Sequence, residues 1–126
     1  MSVLRQPATQ GDVLKYEVNP NYTRETVTLL AGTAYPVGAV LGRITASGKY
    51  KLATSGGSDG AQSAAAVLLY AIDASDTDAI GVVLRRGPAI ISRAALTFDD
   101  SVDDASKITT KHEQLTTLGV IPRETA

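Results

Sequence analysis

Hydrophobic positions along this chain recur in short clusters, and Gly, Pro, Asn, Asp and Ser fill the gaps between them. That spacing predicts a succession of short strands. Residues 13–18 (VLKYEV) form the first strand candidate. Asn19-Pro20-Asn21 then predicts a turn, because Pro20 biases Asn19 away from helix and supplies no donor. Residues 24–31 (RETVTLLA), β-branched and partly alternating, predict a second strand, and Gly32, Pro36 and Gly38 bracket a short loop. Residues 38–45 give a third strand, in which Gly42 marks a bulge or bend. Ala46-Ser47-Gly48 turns that strand into residues 49–52, where Tyr50 and Leu52 share a face, and the pair reads as a hairpin.

Residues 54–63 (TSGGSDGAQS) hold three glycines and predict a flexible loop. The nearly all-apolar run 64–72 (AAAVLLYAI) fits a strand buried on both faces, centred on Val67-Leu68-Leu69-Tyr70, better than a nine-residue helix. Residues 73–78 read as a loop, 79–85 as a strand, Arg86-Gly87-Pro88 as a turn and 89–92 as a short strand. Residues 93–98 suit either a strand or one helical turn. Beyond them the period changes. Ala105, Ile108, His112, Leu115 and Leu118 fall on one helix face. Asp103 and Asp104 suit a helix N-terminus, Gly119 suits a left-handed cap, and Ile121-Pro122 ends the helix. The expected architecture is a mostly antiparallel β domain (residues 12–126) with a helix over residues 103–118. Ahead of it, residues 1–11 (MSVLRQPATQG) form an extended, mobile arm that is unusually apolar at Val3 and Leu4.

Composition narrows the function. Twelve basic and thirteen acidic residues give a net charge of −1, without the basic stripe that phosphate-binding proteins carry, so no nucleic-acid partner is expected. No apolar run is long enough to span a bilayer, and the start lacks a signal-peptide core, so no membrane partner is expected and the chain reads as soluble. With no cysteine, disulfides, thiolate chemistry and zinc–thiolate sites fall away together. One Phe, five Tyr and no Trp leave the core to Ala, Val, Leu and Ile, which favours association of an otherwise marginal monomer.

Candidate chemistry is sparse. Gly56-Gly57-Ser58-Asp59-Gly60 matches a nucleophile elbow. That motif needs a buried strand before the serine, a helix after it and a histidine nearby; neither flank fits, and the only histidine, His112, sits on the terminal helix. Asp73, Asp76 and Asp78 lack the alternation, central glycine and closing glutamate of a calcium loop. Asp99, Asp100, Asp103 and Asp104 suit turns and helix-terminal charge rather than a metal site, and Arg85, Arg86 and Arg93 suit the rim of a strand end. No catalytic, cofactor or metal site is expected.

The ordered segments carry a resemblance. Residues 11–18 (GDVLKYEV) and Pro20-Asn21-Tyr22-Thr23-Arg24-Glu25 are similar to the start of the bacteriophage head decoration protein family. Val40-Leu41-Gly42, Ile44-Thr45, Ser47-Gly48-Lys49-Tyr50, Ser58-Asp59-Gly60 before Ala65-Ala66-Val67-Leu68-Leu69, and Arg86-Gly87-Pro88-Ala89 with Leu96 continue it in one register, to about Arg123. Phe98 stands where relatives often carry Trp. The resemblance implies a mainly β (α+β), β-tulip-like domain that is not an enzyme. It implies a homotrimer at local threefold positions of the expanded phage head, clamping the major coat protein against the pressure of packaged DNA. The expected location is the outer surface of the virion capsid, after assembly in the host cytoplasm.

In lambda-type relatives the arm extends a coat-protein sheet, which here points to Val3, Leu4, Arg5, Gln6 and Pro7 as capsid-binding residues. Tyr22 and Arg24, beside the Asn19-Pro20 turn, are expected near a subunit contact. The alternative is a small biotinyl/lipoyl-type carrier domain with Lys49 near a hairpin tip, although Lys49 lacks the acidic or methionine neighbours such a site needs.

Overall fold

Five of the strands close into a barrel. In this computed structural model, which describes residues 10–124, ten short strands follow in chain order: β1 (Leu14–Glu17), β2 (Arg24–Leu29), β3 (Thr33–Tyr35), β4 (Val40–Arg43), β5 (Tyr50–Leu52), β6 (Ala64–Leu68), β7 (Ile72–Ala74), β8 (Ala79–Leu84), β9 (Ala89–Ser92) and β10 (Val120–Arg123). The barrel runs β2-β5-β4-β6-β8 and returns to β2. Its pairings are antiparallel except that of β2 with β5. A second sheet, β1-β9-β10, lies against it, and β3 and β7 form a separate two-stranded ribbon. The helical segments are α1 (Gln10–Val13), α2 (Pro20–Thr23), a 3-10 turn (Arg93–Ala95) and α3 (Ala105–Thr117).

Alternation along the barrel strands feeds two cores. Leu29, Leu41, Tyr50, Ala66, Leu68 and Val83 come from all five barrel strands and fill its interior. Their neighbours Val40, Val67 and Leu84 point the other way. They meet Ala89, Ile91, Val120 and Leu115 from β9, β10 and α3. Strand β6 is therefore apolar on both faces, as its sequence predicts, because each face meets a different core. The register between β4 and β6 shifts at Leu41/Gly42, the irregularity expected of Gly42. A Cβ at Gly42 would lie 2.2 Å from the Ala61 carbonyl oxygen, so the loop entering β6 can approach only a glycine here.

The hairpin of β4 and β5, the strands β1, β2, β8 and β9, and α3 form as expected, and residues 93–95 take the helical option. Helix α3 starts one residue after Asp104, whose carboxylate accepts from Lys107 N at 2.8 Å. It ends at Gly119 in the left-handed region, φ 85°.

Several expectations are corrected. Gln10 and Gly11 belong to the helical turn α1 rather than to an extended arm. The rest of the arm, including Val3, Leu4, Arg5, Gln6 and Pro7, lies outside the described residues. The bracketed loop after Gly32 contains β3, and the loop from Asp73 begins inside β7. Tyr70 is not at the centre of a buried strand: β6 ends at Leu68, and Tyr70 is 45% exposed. Pro122 does not merely end the helix but sits within β10, which runs parallel to β9 at the edge of its sheet, where a missing N–H can face outward.

The buried face of α3 is also rotated from the expected one. Lys111 and Leu115 are its buried residues, whereas Ala105 is exposed and His112 only half-buried. Lys111 buries its stem and donates its ammonium to the Gln62 carbonyl; its Nζ lies 3.4 Å from Gln114 Oε1, which also accepts from Ala64 N. Burial pushes the Lys111 ammonium below the usual lysine range.

Candidate interaction surface

Where β1, α2 and β2 follow one another, the chain folds back on itself around one carboxylate. Asn19 caps α2, its side chain accepting from Asn21 N at 2.9 Å, with Pro20 in the first turn where no donor is needed. That turn brings Thr23 and Arg24 back onto Glu17. Thr23 Oγ1 donates to Glu17 Oε2 at 2.6 Å. Arg24 Nε lies 3.0 and 3.2 Å from the two Glu17 oxygens, and Arg24 Nη2 makes a further ion pair with Oε1. Burial pushes the Glu17 carboxyl up, but the bonds from Arg24 and Thr23 outweigh it and hold the group below its ordinary value. The bond to Glu17 in turn raises Arg24, despite burial.

Arg24 also reaches forward, donating from Nη1 to the Tyr70 hydroxyl at 3.3 Å. A second arginine works alongside. Arg86 donates to the Tyr22 carbonyl at 2.6 Å, lies 5.5 Å above the Tyr22 ring and pairs with Glu25. The bond from Arg86 holds the Glu25 carboxyl below its ordinary value. Tyr22 is 58% exposed, and Tyr16 and Val18, which flank Glu17 along the chain, are about half exposed. The surface thus presents aromatic rings held in place by arginines whose charges are already answered within the subunit. Exposed Tyr and Arg set on rigid elements are the residues that most often dominate protein–protein contacts.

Tyr22 and Arg24, singled out from the sequence, fall in this cluster. Glu17, Tyr70 and Arg86 were missed as members. Glu17 and Arg86 are ordinary charges in sequence, and Tyr70 ends an apolar run that gives no cue to its exposure.

The other candidates have local partners. Ser58 is exposed in its loop, with no hydrogen bond to a histidine or carboxylate among the described residues. Asp73 and Asp99 each close a turn onto Ser75 and Ser101, and Asp103 pairs with Lys107 at 2.8 Å. No group of three or more His, Asp or Glu among the described residues is arranged to hold a metal ion. Arg85 donates to the Ala65 carbonyl and Arg93 pairs with Glu124, so these arginines do rim strand ends. Lys49 is tied to Asp78 at 2.5 Å rather than projecting from its hairpin.

The chain belongs to the family described as bacteriophage lambda head decoration protein D, whose sequence model matches residues 3–120. It is thus of the phage head decoration class, structural proteins that associate with the capsid of the virion. Comparison with curated proteins gives no match.

Proposed function

We propose that this protein binds the expanded phage head as a homotrimer at local threefold positions and clamps the major coat protein against the pressure of packaged DNA. It acts on the outer capsid surface, after assembly in the host cytoplasm, without catalysis or cofactor and without touching nucleic acid or membrane. The observation that carries this reading is the family match over residues 3–120. In the proposal, residues from Gln10 onward form the body and residues 1–9 the arm, whose Val3, Leu4, Arg5, Gln6 and Pro7 grip the coat by strand addition. Tyr22 and Arg24 lie at the contact between subunits, supported by the exposed, arginine-braced ring of Tyr22.

Binding that favours the expanded lattice stabilises it by mass action, about 4 kcal/mol per site at a thousandfold excess over the dissociation constant. Three arms on one trimer raise the effective concentration of each. Sedimentation of the free protein gives its oligomeric state, and cosedimentation with expanded empty heads gives its binding. Deleting residues 2–9, ahead of α1, leaves a folded trimer that no longer pellets with heads. Undiminished pelleting refutes the arm's role, and a monomer that ignores heads refutes the whole proposal.

A further inference from the structure

A ring of three subunits is closed by a contact between unlike faces. Each subunit presents one surface to the next and a different surface to the one before it. The cluster around Tyr22 and Arg24 is one such surface, and an exposed ring held on a rigid turn needs a hollow to enter. A hollow of about 390 Å³ lies on the β3–β7 ribbon, lined by Ala34, Tyr35, Pro36, Ala71, Ile72 and Asp73. The Tyr35 hydroxyl is taken up by the Leu30 carbonyl at 2.7 Å, which leaves Asp73 as the one charged group of the lining. Two other concavities are more heavily charged. Lys51, Asp99 and Asp100 line the groove across β3, and Arg93, His112 and Glu113 line the one beside α3. Covering those groups with an aromatic ring would strip them of water, so the β3–β7 hollow is the better seat.

The two surfaces adjoin within one subunit. Arg24 donates to the Tyr70 hydroxyl, and Ala71, next along the chain, lines the hollow. Neighbouring contact faces suit a subunit that fills one sector of a closed ring. The free charges agree with the pairing. Lys15, beside Tyr16 on β1, donates to the Gly11 carbonyl at 2.8 Å and makes no ion pair among the described residues. Asp73 is bonded by Ser75 but answered by no cation among the described residues. A base stands on the side of the ring and an acid at the hollow, and a second copy brings the two together.

We infer that Tyr22 of one subunit enters the β3–β7 hollow of the next, with Lys15 of the first facing Asp73 of the second. The inference rests on the proposal that Tyr22 and Arg24 lie at a subunit contact, and it supplies the surface they meet. One face of the ring stays under Arg86 of its own subunit, and the other is left for Pro36, Ile72 and their neighbours. In a closed ring every such side chain has a hollow and every hollow is filled.

The chain has no cysteine, so single thiols report contacts without background. Asn21→Cys lies beside the ring and Ala71→Cys at the hollow, both at exposed positions that leave Tyr22 and Asp73 in place. When chains of one variant are coexpressed with chains of the other, a short bismaleimide joins unlike chains in pairs, and neither variant alone is joined. Lys15→Glu and Asp73→Lys each raise the trimer dissociation constant in sedimentation, by at least about tenfold at low salt, and the two combined restore it. A trimer whose unlike chains are not joined overturns the inference. So does joining of Asn21→Cys to itself, or a combined charge variant that fails to recover. If Asp73→Lys leaves the trimer intact but weakens pelleting with expanded heads, the hollow seats a coat segment, and the inference fails while the trimer stands. A parent protein that sediments as a monomer overturns the trimer and the inference together.

Discussion

Replacing Arg24 with Met tests the centre of the surface cluster directly. The methionine keeps the aliphatic stem but removes the guanidinium contacts to Glu17 and the bond to Tyr70. The Glu17 side chain is 9% exposed and the Arg24 side chain 22%, so water replaces little of what is lost. A hydrogen-bonded charge stripped of its partner at such a site costs about 2 kcal/mol. At a urea slope of about 2 kcal/mol per molar, that is a midpoint about 1 M lower at pH 7 and matched protein concentration.

The pH dependence carries the stronger test. In the parent protein the folded-state Glu17 value lies below its unfolded 4.5. Its contribution is therefore present above pH 4.5 and lost as pH falls through the folded value. In Arg24→Met, burial is opposed by Thr23 alone and the folded value rises above 4.5. The variant then gains stability as pH falls through that raised value, and the gap to the parent narrows in acid. A midpoint shift of less than about 0.2 M at pH 7, or one of the same size at pH 7 and pH 3.5, refutes this account of the cluster.

Other perturbations read the scaffold. Leu68→Ala, inside the barrel, loses about 2–5 kcal/mol in urea unfolding; a loss under about 1 kcal/mol would mean the barrel interior is not closely packed. Gly87→Ala sets a Cβ 1.8 Å from the Gly119 carbonyl oxygen, where β9 begins against the end of α3. Melting should show a loss of at least about 1–3 kcal/mol, and an unchanged melting temperature would contradict that contact. Burial and the nearby Arg93 charge push the His112 imidazole below its ordinary 6.5. Stability accordingly declines as pH drops from 6.5 through the folded value. His112→Phe, which keeps a ring against Phe98, flattens that decline; an unaltered slope assigns it to other groups.

Where local chemistry dictated structure, the sequence was readable. Gly48 turns one hairpin, Asp104 and Gly119 bound α3, and the β-branched residues of β2 and β8 mark their strands. The run around Val67 was legible as a strand because a doubly buried strand needs apolar residues on both faces. Elements made by distant partners were not legible. Thr33-Ala34-Tyr35 is a strand only because Ile72-Asp73-Ala74 lies beside it, and Pro122 is tolerated only because β10 is an edge. Lys111 was passed over because lysine reads as a surface residue, and its burial depends on a carbonyl forty-nine positions away. In the surface cluster, the Asn19-Pro20 turn flagged Tyr22 and Arg24 and itself folds Arg24 back onto Glu17, but the approach of Tyr70 and Arg86 depends on β6 and β8 passing nearby.

Strand β6 serves as a party wall, with barrel contents on one side and the α3 layer on the other. Neither compartment can loosen while the other stays intact, since Ala66 and Leu68 alternate with Val67 along a single length of backbone. Amide exchange across β6 should accordingly report only whole-molecule opening. For the clamp proposed above, that means failure by sudden release instead of gradual creep.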